Sequence, residues 1–110
     1  MERFVRGDVV VLPFPFSDLT GSKRRPALVL AELDGDDRIL CQITSQQFRD
    51  SYSIPLNDSD FREGYLRKIS NIRPNRVFAA DRKIIIYKAG HLKSDTINAA
   101  LQKIIEILSG

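Results

Sequence analysis

A chain of 110 residues with 43% hydrophobic and 28% charged side chains fits one domain around one core, which excludes a disordered or fibrous protein. Its single cysteine, Cys41, cannot form an internal disulfide and suits a reducing compartment. The net charge of +3 is uneven, with seven Lys/Arg against eight Asp/Glu in residues 1–55 and ten against six in 56–110, so a polyanion is an admissible partner.

Met1–Gly7 reads as an exposed lead-in, and it lacks the apolar stretch of a signal peptide. No apolar run approaches the roughly 18 residues that cross a bilayer, so the expectation is a cytoplasmic protein with no membrane partner. Asp8–Leu12 reads as a strand buried on both faces, because four apolar residues follow one another without alternation. Pro13-Phe14-Pro15-Phe16 is expected to end it, since proline donates no hydrogen bond to a ladder. Turn chemistry then leads to Lys23-Arg24-Arg25-Pro26, closing a thirteen-residue connection from Pro13 to Arg25. Pro26 keeps Arg25 extended and so fixes a guanidinium at the entrance to the next strand, Pro26–Glu32.

Asp34-Gly35-Asp36-Asp37 has turn character without the spacing of a calcium loop, and Arg38–Thr44 completes a hairpin. Cys41 falls inside that apolar run and is expected in the core. Ser45–Asp50 is a polar loop, and Tyr52–Leu56 carries Pro55, which marks an edge strand. Asn57–Gly64 is rich in turn residues. Tyr65–Ile72 alternates in part, with Leu66, Ile69 and Ile72 expected inward. Arg76–Ala80 and Lys83–Ala89 read as two further strands about an Asp81-Arg82 turn. Many short strands at close spacing predict a small barrel or sandwich. After an N-cap at Ser94 or Asp95, Ile97, Ala100, Leu101, Ile104, Ile105 and Leu108 recur at helical spacing and predict an amphipathic closing helix.

The motifs missing from the sequence narrow the chemistry. There is no phosphate-binding GxxxxGK[ST], no GxGxxG, no HExxH and no paired CxxC. A lone histidine, His91, excludes a two-histidine nuclease within one subunit, and its place before the helix suits packing or capping. No cluster of carboxylates or histidines suggests a metal site. Phosphodiester chemistry would therefore run without metal or cofactor.

Three blocks in order, Gly7-Asp8-Val9-Val10, Arg25-Pro26-Ala27-Leu28-Val29-Leu30 and Ile43-Thr44-Ser45-Gln46, resemble the successive signatures of the MazF/PemK toxins. The resemblance runs from about Gly7 to Leu108. It implies a mainly β protein, a small SH3-like barrel of five to seven strands with a C-terminal helix. It also implies metal-independent, sequence-selective cleavage of single-stranded RNA, leaving a 2′,3′-cyclic phosphate and a 5′-hydroxyl. The implied partners are a second copy in a homodimer and a cognate antitoxin whose extended acidic segment covers the basic groove and carries the complex to DNA.

The family's functional arginine and threonine correspond to Arg25 and Thr44. RNA supplies its own nucleophile, the 2′-hydroxyl, so the protein has to align it, stabilise added negative charge and help move protons. Arg25 can fork two hydrogen bonds onto phosphate oxygens and stays charged, which makes it a poor base. Thr44 can donate to the same phosphate. Ser45 and Gln46 extend its block, and Lys23, Arg24, Lys68, Ser70, Arg73 and Phe16 complete the expected RNA-binding set. Phe14, Phe16, Phe48 and Tyr52 either stack on bases or pin their loops to the core.

Two departures stand out. Thr20-Gly21-Ser22-Lys23-Arg24 replaces a longer glycine-rich loop with a glutamate or histidine, and Ser70 stands where several relatives have an acid. The alternatives are a non-catalytic RNA-binding barrel, or a toxin of the same fold that acts on a protein such as DNA gyrase through its closing helix.

Overall fold

The computed structural model describes residues 3–14, 23–47 and 50–110. Seven strands form one sheet: β1 Asp8–Phe14, β2 Lys23–Glu32, β3 Asp37–Thr44, β4 Ile54–Leu56, β5 Phe61–Gly64, β6 Ser70–Asp81 and β7 Tyr87–Leu92, followed by helix α1, Ser94–Ser109. Their order across the sheet is β4-β6-β3-β2-β1-β7-β5, and every neighbouring pair is antiparallel. The end strands β4 and β5 do not pair, so the curled sheet is a half-barrel.

The unbroken apolar runs of β1, β2 and β3 follow from burial on both faces. Val9, Leu28, Leu30, Cys41 and Ile43 face one core, where Ile97 and Ala100 of α1 cover them. The alternate positions Val10, Leu12, Ala27, Val29 and Leu40 face a second core with Phe4, Phe14 and Ile85. A strand with period-two geometry that buries both faces has no polar side to display.

Bulges let this sheet bend. Between β3 and β6 the register passes from Cys41↔Val77 to Gln42↔Arg73, leaving Pro74, Asn75 and Arg76 without β3 partners. Pro74 is fully buried there, at a place that asks no N–H of it.

Several expectations need correction. The lead-in is packed: Phe4 is buried, and the Arg3 guanidinium lies 2.9 Å from Glu32. Pro13 and Phe14 continue β1 instead of ending it, because β7 pairs with β1 only from Asp8 to Val11 and requires no donor at Pro13. Residues 65–69 form no strand, and Ile69 is 73% exposed. Leu66, Ile69 and Ile72 recur every third residue, a spacing that a two-residue period cannot bury on one face. The segment Arg76–Ala80 is the second half of the twelve-residue β6, and a 3-10 turn over Arg82–Ile84 precedes β7. The helix begins one residue early, with Lys93 as cap, while Thr96 Oγ1 donates to Asp60 across 2.9 Å.

Pro55 does lie on an edge strand, and Cys41 is wholly buried. No helix is long and apolar enough to cross a membrane, among the described residues.

Candidate nucleic-acid interface

Strand β2 outruns its neighbour. Its ladder with β3 begins at Ala27↔Gln42, so Lys23–Pro26 pair with β1 alone. Carrying that register two residues further sets Arg25 opposite Thr44, where the two strands have parted. A cavity of about 780 Å³ opens in the gap.

Val11, Pro26 and Ile43 give it an apolar floor. Arg25 and Thr44 line it together, with Lys23 and Arg24 from β2 and Ser45 and Gln46 following β3. The remaining wall comes from the β5–β6 connection and from β7. It adds Arg67, Lys68 and Ser70 on one side and Lys88 on the other. Among the described residues six cations line the cavity and no carboxylate does.

Thr44 is 5% exposed, and its Oγ1 accepts from the Gln46 N–H at 3.2 Å. That leaves the hydroxyl hydrogen for a ligand. Asn71, the β6 partner of Thr44, donates from Nδ2 to the Gln46 carbonyl at 3.2 Å and ties the start of the loop to the sheet. Ser70 Oγ donates to the Lys68 carbonyl at 2.9 Å, which fixes the other lip.

None of Lys23, Arg24, Arg25, Arg67 and Lys68 has a carboxylate within ion-pair distance among the described residues. Lys88 is held differently. Its ammonium lies 3.0 Å from Glu63 and 3.4 Å from Asp8, and the hydrogen bond to Glu63 raises its pKa above the usual lysine value. The same contact lowers the Glu63 carboxyl.

Asp8 is 1% exposed and accepts from the Val5 N–H at 2.9 Å, while His91 Nδ1 lies 2.7 Å from its other oxygen. A buried carboxylate with three partners is a satisfied structural anchor. His91 therefore packs within the fold.

The other sequence-predicted residues lie elsewhere. Arg73 does not line the cavity: its guanidinium is buried, 2.8 Å from Asp50 and 2.6 Å from Ser53 Oγ, and lowers the Asp50 carboxyl pKa. Gln42↔Arg73 puts it two residues inward of Asn71 in the ladder, beneath the 50–53 turn. Phe16 and Phe48 lie outside the described residues. Phe14 is buried, with its ring edge-on to Phe78 at 5.1 Å, so it belongs to the core. Tyr52 lies outside the cavity.

Sequence reasoning missed Tyr65, Tyr87 and Lys88, and placed Arg67 only within the general excess of positive charge in the second half of the chain. Tyr65 and Tyr87 are 62% and 50% exposed, and both line the cavity. The available signal was an aromatic next to a cation, in Tyr65-Leu66-Arg67-Lys68 and Tyr87-Lys88, the composition of a surface that stacks bases and holds phosphates. Among the described residues no three His, Cys, Asp or Glu side chains converge on a metal position.

Comparison with solved structures places this fold among known ones. The chain is similar to MazF from Deinococcus radiodurans, with a TM-score of 0.78 and 19% identity over 100% of both chains. It is also similar to an endoribonuclease solved with its cognate antitoxin from a mycobacterial species, at a TM-score of 0.78 and 12% identity over 97% of this chain and 96% of that one. Toxin MazF-mt6 of Mycobacterium tuberculosis matches at a TM-score of 0.73 and 15% identity, over 93% of this chain and 96% of that one. No curated protein matches in sequence. The model of the PemK-like, MazF-like toxins of type II toxin–antitoxin systems matches residues 5–108, and the chain belongs to that family.

Proposed function

We propose that this toxin is an endoribonuclease that cleaves single-stranded RNA, with the RNA's 2′-hydroxyl as nucleophile. The observation that carries the reading is the meeting of Arg25 and Thr44 on one cavity that, among the described residues, is lined by six cations and no carboxylate. A strand of RNA brings a row of phosphates with no metal of its own, and such a lining receives it.

Arg25 forks onto the non-bridging oxygens of the phosphate to be cut and stabilises the charge that grows there. Thr44 donates its hydroxyl hydrogen to the same group, fixed in direction by the bond it accepts from Gln46. Holding the phosphate at two points turns the adjacent ribose toward in-line attack, which gives the cyclic phosphate and frees a 5′-hydroxyl. Tyr65 and Tyr87 offer flat apolar faces to the unpaired bases on either side, each worth about 1–3 kcal/mol.

The same lining suits an antitoxin that inserts an extended acidic segment, and a mycobacterial endoribonuclease of this fold was solved with its cognate antitoxin. A homodimer in the cytoplasm is the working form.

Purified protein incubated with RNA in EDTA, followed by mapping of the new ends, tests the reading. Cleavage leaving 2′,3′-cyclic phosphates, lost by about 10²–10³-fold in Arg25→Ala at unchanged melting temperature, is the expected result. Salt-sensitive RNA binding with no new ends would make the protein a binding barrel. Near-wild-type cleavage by Arg25→Ala would remove Arg25 from the chemistry.

A further inference from the structure

The connection between β5 and β6 has a second face. Behind it lies a smaller cavity of about 290 Å³, and Leu66, Arg67 and Lys68 line both this cavity and the large one. Leu56 and Phe61, both buried, give the small cavity an apolar floor. Asp58 stands at its lip, exposed; its backbone carbonyl accepts from the Phe61 N–H, while its carboxylate has no hydrogen-bond or ion-pair partner among the described residues.

We propose that this second cavity receives one unpaired base of the RNA strand, and that Asp58 selects bases presenting amino hydrogens and turns uracil away. The proposal rests on the reading of the large cavity as an RNA cleft. It follows from three features of the same place.

The first is continuity. Arg67 and Lys68 line both cavities, without carboxylate partners among the described residues, where a backbone crossing from one to the other would carry its phosphates. The second is shape and polarity. A base has apolar faces and a polar edge, and the cavity has an apolar floor with its polar groups confined to the lip.

The third is chemistry. A carboxylate only accepts hydrogen bonds. Guanine offers it two adjacent donors, N1–H and the N2 amino group, while adenine and cytosine offer one amino group each. Uracil flanks its single N3–H with two carbonyl oxygens, which a carboxylate repels. An acidic peptide is a poor rival occupant, since Asp58 would meet like charge.

The test is a random-sequence RNA pool cut in EDTA by the wild type, Asp58→Asn and Asp58→Ala, with both new ends sequenced. Asp58 is exposed, so both variants keep the fold, which melting curves check. In the wild-type products one position near the cut is expected to be depleted of uracil about 5- to 100-fold, the discrimination typical of a good base-edge contact. Asp58→Asn gains an amide donor that suits a uracil carbonyl, so uracil becomes favoured at that position. Asp58→Ala flattens it.

Identical base preferences in all three proteins would overturn the proposal while leaving the nuclease reading intact. So would variants that alter only the affinity for the antitoxin. A pool left uncut by the wild type would overturn both.

Discussion

At Thr44 one oxygen has two duties, and substitution can separate them. It accepts from the Gln46 N–H, which shapes the loop after β3, and it is expected to donate to phosphate. Thr44→Ser keeps both and should cleave RNA within a few-fold of wild type. Thr44→Val keeps the shape, loses both, and should fall by about 10²-fold or more. It should also lose about 1 kcal/mol of stability, because the Gln46 N–H is left without its acceptor. Rates and urea titrations on the two variants check this, and equal activity would take Thr44 out of the mechanism.

Cys41 gives a residue-scale prediction of another kind. Burial pushes its thiol up to about 12, because a thiolate cannot be solvated between two sheet strands. An unfolded chain ionises the same group near pH 8.5, so above that value it sheds a proton that the folded state keeps. The thiol's contribution is therefore complete below about pH 8.5 and declines as pH rises, by at most about 1.4 kcal/mol per unit. The stability gap between wild type and Cys41→Ala, measured by urea unfolding, should narrow from pH 8 to pH 10.5. A constant gap would show that Cys41 ionises normally in the fold. Thiol reagents should label the protein only in denaturant.

Among the elements, the β5–β7 pair turns on a backbone contact. Gly64 has φ +76°, and a Cβ there would stand 2.1 Å from the Ala89 carbonyl oxygen. Gly64→Ala therefore meets both a left-handed backbone, costing about 1–3 kcal/mol, and an atom of the next strand that cannot move aside. Gly35 supplies the control, since its φ is +80° and a Cβ there meets nothing within 4 Å. Gly35→Ala should lose only the backbone part, and Gly64→Ala clearly more, by thermal melts. Because Gly64 leads directly into Tyr65, Gly64→Ala should also weaken RNA binding, while Gly35→Ala should not.

This pair was not legible in sequence. β1, β2, β3 and α1 announce themselves by unbroken apolar runs or a 3.6-residue period, since burial on both faces, or along one helical stripe, leaves a pattern. β5 is Phe61-Arg62-Glu63-Gly64, with one buried side chain, and it holds its place through backbone partners on β7. Likewise β6 reads as two pieces, because Pro74-Asn75-Arg76 looks like a break when it is a bulge within one strand. Side-chain pattern reports burial; it says little about a strand with one buried side chain, kept by ladder bonds and an ion pair between Glu63 and Lys88.

For the whole molecule, the site was legible where motifs are local and hidden where topology builds them. Arg25 and Thr44 stand out because each belongs to a short recognisable block. Tyr87 and Lys88 reach the same cavity only because the sheet order sets β7 beside β1, and Tyr65–Lys68 only because β5 follows at its edge. The cations Lys23, Arg24, Arg25, Arg67 and Lys68, without a carboxylate partner among the described residues, thus come from two distant segments and line one cavity.

That sum has a measurable consequence. Single-stranded RNA that neutralises Z cations releases counterions, so log K falls with log salt at a slope of about −0.7Z. With three to five of these cations engaged the slope should lie between about −2 and −3.5, read by fluorescence anisotropy on a 2′-O-methyl RNA that cannot be cleaved. Lys68→Gln should make the slope shallower by about 0.7. Lys103→Gln, on α1 and outside the cavity, should leave it unchanged. Equal slopes for both variants would mean that RNA is held by overall charge, and that the cavity assembled by β2, β7 and the Tyr65–Lys68 connection is not where it binds.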